Sequence, residues 1–91
     1  MKKYTQDEID NLIIIEDNKK YIKNIDFSNC DLSRLQLANI NFIDCDFINA
    51  NLNFADLRQA DLSNADLSSA YNITDKTLNH KLLLTQLGIF L

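Results

Sequence analysis

Between positions 25 and 70 an apolar residue returns every five residues. The repeated position reads Phe27, Leu32, Leu37, Phe42, Phe47, Leu52, Leu57, Leu62 and Leu67. Two residues before each stands a second apolar series: Ile25, Cys30, Leu35, Ile40, Cys45, Ala50, Ala55, Ala60 and Ala65. Between the two lies a polar residue without exception: Asp26, Asp31, Gln36, Asn41, Asp46, Asn51, Asp56, Asp61 and Asp66. On an α-helix a step of five turns about 500°, leaving the leucines roughly 140° apart around the axis. On a straight strand an odd step alternates faces. Neither element buries the whole set. A spacing of two does bury a pair on one face of an extended segment. Each unit therefore reads as a short extended piece with two residues inside, followed by a bend. Bends repeated in one sense close into coils, and coils stack into a solenoid.

The units "ADLRQ", "ADLSN", "ADLSS" and "ANLNF", with the variants "CDLSR" and "CDFIN", resemble the pentapeptide-repeat family, whose unit is A(D/N)LXX. The resemblance covers about half the chain. It implies an all-β solenoid: a right-handed quadrilateral β-helix of about two to three coils, four pentapeptides to the coil, with short helical caps at both ends. Residues twenty apart would then stack, with Phe27, Phe47 and Leu67 in one inner column and Phe42 and Leu62 in another.

Solenoid ends expose apolar surface and strand edges, so flanking caps are expected. Residues 1–21 read as an N-terminal cap. "TQDE" has the form of a capping box, with Thr5 as N-cap and Glu8 three later, opening a helix over about 6–13. "EDNKK" reads as a turn leading into the first coil. Residues 22–70 form the repeat region. Residues 71–91 read as a C-terminal capping helix and apolar tail, with Gly88 at a stop position. Leu83, Leu84, Leu87, Ile89, Phe90 and Leu91 exceed what one face of a small cap can bury. Two readings stand: a homodimer or partner seam, and a tail folded over the last coil.

Composition sharpens this. In 91 residues there is no proline and one glycine, which is odd for conventional hairpins; abundant Asn and Asp supply the turns instead. Net charge is −4, and residues 22–70 carry that same balance, seven Asp against Lys23, Arg34 and Arg58. An acidic chain binds nucleic acid or anionic lipid poorly but complements a basic protein surface. No apolar run approaches a membrane span, and "MKKYTQDEID" is not a signal peptide, so the expected setting is the cytoplasm with reduced thiols.

The sequence suggests no catalytic residues, no cofactor and no metal site. His80 is the lone histidine, no glycine-rich loop is present, and Cys30 and Cys45 occupy the small inward slot as core fillers. What remains is outer surface. Asp26, Asp46, Asp66, Asp31, Asp61 and Asp56 form candidate acidic columns with a rung spacing of ~4.8 Å. One reading makes them a phosphate-like array for a basic partner. The other makes each Asp or Asn a servant of its own turn. Ile43, Ile48 and Phe54 break the polarity of the outer positions and are a candidate apolar patch.

The expected function is a non-catalytic protein-interaction module, a rigid acidic body that binds or blocks a partner protein. A small bacterial or phage inhibitor of a DNA-handling enzyme acting by partial DNA mimicry is its most concrete form. Some family relatives are described as mimics that occupy type II topoisomerases, and they are much longer. Nine repeats here give about 11 Å of stack, equal to three or four base pairs at ~3.4 Å each. The alternative is an assembly scaffold dimerising through its C-terminal apolar segment.

Overall fold

The computed structural model describes residues 1–72. The C-terminal cap and the seam Leu83, Leu84, Leu87, Ile89, Phe90 and Leu91 lie outside the described residues, as does His80.

The regular elements are short. β1 is Lys2–Lys3, α1 Gln6–Leu12, β2 Ile14–Glu16, β3 Lys19–Lys23, β4 Cys30–Asp31 and β5 Ile40–Ile43. What orders the repeat region is its register. Parallel bridges join residues twenty apart: Asp26 to Asp46 to Asp66, Asp31 to Asn51 to Tyr71, Gln36 to Asp56, and Asn41 to Asp61. Backbone bonds of 2.8–3.0 Å run along these rungs, from Phe27 N–H to Asp46 C=O, Leu37 to Asp56, Phe42 to Asp61 and Phe47 to Asp66. The register starts before the repeats. β3 pairs in parallel with β5, Lys20 to Ile40 through Lys23 to Ile43, so Ile22 stands beneath Phe42.

Period five explains the interior. All nine central residues are buried, Phe47 and Leu57 with no exposed surface. In the small slot seven of nine are buried; Ile25 and Ala65 are partly so. Three phenylalanines touch inside the first turns. Phe27 stacks on Phe47 at 5.2 Å, and Phe42 meets both edge-on. Each buried leucine or phenylalanine is worth about 1.5–3 kcal/mol.

The bends follow from backbone geometry. Positive φ recurs at Asn24, Asn29, Arg34, Asn39, Asp44, Asn49, Phe54 and Gln59, one per unit, and again at Ser69. In many units a backbone N–H closes the turn onto the carbonyl three residues earlier, as from Cys30 to Phe27, Ala50 to Phe47 and Ala60 to Leu57. Positive φ at the third residue of such a turn is the type II signature. Asn and Asp tolerate it best among side-chain-bearing residues, so the chain bends here without glycine.

At the N-terminal end Thr5 Oγ1 accepts the Glu8 N–H while the Glu8 carboxylate accepts the Thr5 N–H, and α1 runs from Gln6 to Leu12. Ile9 on this helix is fully buried against the first turn. Tyr4 meets Phe27 edge-on at 5.2 Å. β1 pairs with β4, Lys2 to Cys30 and Lys3 to Asp31. The stretch expected as a turn holds more than a turn. β2 and β3 form an antiparallel hairpin closed by Asp17 and Asn18, both at positive φ, the two-residue type I′ geometry.

Candidate interaction surface

Most bridging polar residues do a local job first. The Oδ1 of Asp26, Asp31, Asn51, Asp56, Asp61 and Asp66 accepts the backbone N–H two residues on, at 2.9–3.0 Å. Each such bond satisfies an outward donor at the bend. The charged form is the better acceptor, so these carboxylates titrate low. The Ser28 hydroxyl, then its N–H, holds Asp26 below the usual carboxylate range. Ser33, Ser63 and Ser68 do the same for Asp31, Asp61 and Asp66. For Asp56 the cause is the Arg58 guanidinium. All stay ionised at neutral pH.

The six candidate aspartates are not equivalent. Asp31 faces Lys3 at 3.7 Å, and Asp56 is paired with Arg58 at 2.9 Å. Asp61 lines a surface concavity of about 370 Å³ together with Lys19, Tyr21, Asn41, Ile43 and Ser63. Asp26, Asp46 and Asp66 lie on three successive rungs of one side, all exposed. The ion pairs found among the described residues, from Lys2, Lys3, Lys23 and Arg58, go to Glu8, Asp31, Glu16 and Asp56 and leave this column alone. Asn49 donates its amide to Asn29 beside the column at 3.2 Å.

The three apolar outer residues fall in different columns. Ile43, 39 % exposed, continues the column of Lys23 and edges the concavity. Ile48 is half-buried, one unit further along the chain. Phe54, 69 % exposed, lies over the Arg34 guanidinium at 5.1 Å from the ring centroid. Sequence reasoning passed over Ile14, Ile15 and Tyr21 on the hairpin. Extending the twenty-residue step back from Asn41 would have found Tyr21. Ile14 and Ile15 precede the repeat and carry no such signal.

Both thiols sit inside. Burial pushes each pKa up, and the Cys45 thiol donates to the Ile22 carbonyl at 3.4 Å, so neither is a ready nucleophile. Among the described residues no group of three or more His, Cys, Asp or Glu converges as metal ligands, and no helix is long and apolar enough to cross a membrane.

A chain that returns to register every twenty residues, with one turn and one inward pair per five, is a repeat protein. It belongs to the pentapeptide-repeat family: the family model for pentapeptide repeats matches eight copies, over residues 25–64 and 40–71. Proteins of this family are often interaction or structural proteins, and their repeats usually form a right-handed β-helix. Comparisons with curated proteins and with solved structures give no match.

Proposed function

We propose that this chain is a non-catalytic interaction module, wound as a right-handed four-sided β-helix, that binds or blocks a protein through one acidic side. The observation carrying this is the column Asp26, Asp46 and Asp66: three carboxylates on consecutive rungs, outside every ion pair found among the described residues. At ~4.8 Å per rung they span ~10 Å. That is a short segment of a phosphate-like array, fitting a partner surface built to hold a few phosphates. Asp44, exposed on the bend before Asp46, adds a further negative charge two residues from the column. A basic protein surface is the partner, and partial DNA mimicry is the form of blockade the column suits. Free thiols accord with a cytoplasmic setting.

The test is partner capture from a lysate under rising salt. Binding through the column weakens steeply between low and physiological ionic strength, because exposed charges are screened beyond ~8–10 Å. Asp46→Lys with Asp66→Lys abolishes capture. Unchanged capture by that double variant, or capture indifferent to salt, removes the acidic-side reading and favours an apolar assembly scaffold.

A further inference from the structure

In the repeat region Asn51, Asp56, Asp61 and Tyr71 each send their own N–H and C=O toward the preceding turn of chain. Asp56 gives its N–H to Leu35 C=O and receives the Leu37 N–H, so Gln36 itself points the other way. Beneath the first turn there is no preceding repeat, and four sides of exposed edge would result. Such an edge invites a strand from another chain. Three sides carry three different covers. β3 underlies β5 at Asn41 and is covered in turn by β2, the outer strand of that sheet. β1 covers Asp31, and Tyr4 N–H adds a bond to Asp31 C=O at 3.2 Å. At Gln36 no strand is present among the described residues; a side chain takes its place. Gln6 Oε1 accepts the Gln36 N–H at 2.8 Å, and Gln6 Nε2 donates to Gln36 C=O at 3.1 Å. The second Nε2 hydrogen goes to Asp10 Oδ1 one helical turn on, at 3.1 Å, which fixes the amide's orientation. On the fourth side, Asp26 bridges upward to Asp46 with a carboxylate at the rim.

We propose that the Gln6 side chain is an edge stop, a one-residue substitute for a β-strand that keeps a second copy of this chain from pairing at Gln36. A primary amide suits this place, because the rung demands a donor and an acceptor side by side. The occupant excluded is another copy because its own rungs share the twenty-residue period. The stop is independent of the acidic side, so its failure leaves the proposed function standing.

Two full-length variants test it, each compared with the unaltered chain at the same pH. Gln6→Ala removes both bonds. Gln6→Glu at pH 7 keeps an acceptor, loses the donor and faces Asp10; protonated below about pH 4 it regains donor and acceptor together. The expected result is amide exchange at Gln36 on the order of tenfold faster in Gln6→Ala and little changed in Gln6→Glu, whose carboxylate still accepts that N–H. Self-association by sedimentation velocity rises in both variants, which leave the Gln36 C=O without its donor, and in Gln6→Glu the rise shrinks at acid pH. Exchange at Gln36 unchanged in Gln6→Ala overturns the proposal. So does faster exchange without any gain in association.

Discussion

At single residues, the bend position shows which constraint wins. It demands positive φ, and Asn or Asp fills it at Asn24, Asn29, Asn39, Asp44 and Asn49. Phe54 does not fit that demand: a large aromatic at φ 58, 69 % exposed. A non-glycine residue there gives up about 1–2 kcal/mol, of which Asn recovers a part through local bonding. Against this stands the contact with Arg34, worth about 0.5–1 kcal/mol at an exposed site. The strain is the larger quantity, so Phe54→Asn should stabilise the chain by roughly 0.5–1 kcal/mol in urea unfolding. A loss of stability would show that the Arg34 contact outweighs the backbone cost. If the variant is more stable yet captures partner less well, the exposed ring is retained for recognition at the expense of the backbone.

Among the elements, α1 is too short to persist alone: it has seven residues, and isolated helices below about 12–15 are marginal in water. Besides the Gln6 bonds, the Thr5–Glu8 capping box and the burial of Ile9 hold it. Their sizes differ. Thr5→Ala should cost about 1 kcal/mol, whereas Ile9→Ala leaves a cavity against the first turn and should cost about 2–5 kcal/mol. Chemical unfolding of both variants checks the order; a larger loss at Thr5 would mean the cap, not the core contact, seats the helix. These two residues also mark how far the sequence could be read. The capping box is a local signature, and the inward residues repeat often enough to declare themselves. The hairpin did not declare itself, since Asp17 and Asn18 form a type I′ turn without the usual glycine and β2 is three residues long. β1 is two residues, too short for any pattern, and its partner lies twenty-eight positions away. Nor could spacing reveal which aspartates meet a cation: Lys3 reaches Asp31 only because β1 folds back.

Across the whole molecule, the proposed recognition role falls on aspartates that also serve their turns, and the two can be separated. Asp26 and Asp66 serve their turns through Oδ1, and both titrate low. A carboxyl whose pKa is depressed by folding contributes stability above its unfolded value of about 3.9, and loses it as pH falls through the lower folded value. The same sign applies to Asp31, Asp56 and Asp61, so stability should be flat above about pH 5 and decline below it. Asparagine keeps the Oδ1 acceptor without the charge, and the chain already uses it so: Asn51 holds the Asn53 N–H at 3.0 Å. Asp26→Asn, Asp46→Asn and Asp66→Asn together should therefore leave the fold at neutral pH intact within a few degrees of melting temperature. The acid decline should become shallower, because two depressed carboxyls are gone. Partner capture should fall with the charge. Thermal melts from pH 3 to 7 and capture at fixed salt read the two effects on one protein. Binding that survives the triple change would place recognition elsewhere on the outer wall. A collapse of the fold at pH 7 would mean that the turns need the carboxylate itself, and that these aspartates are explained by the coil alone.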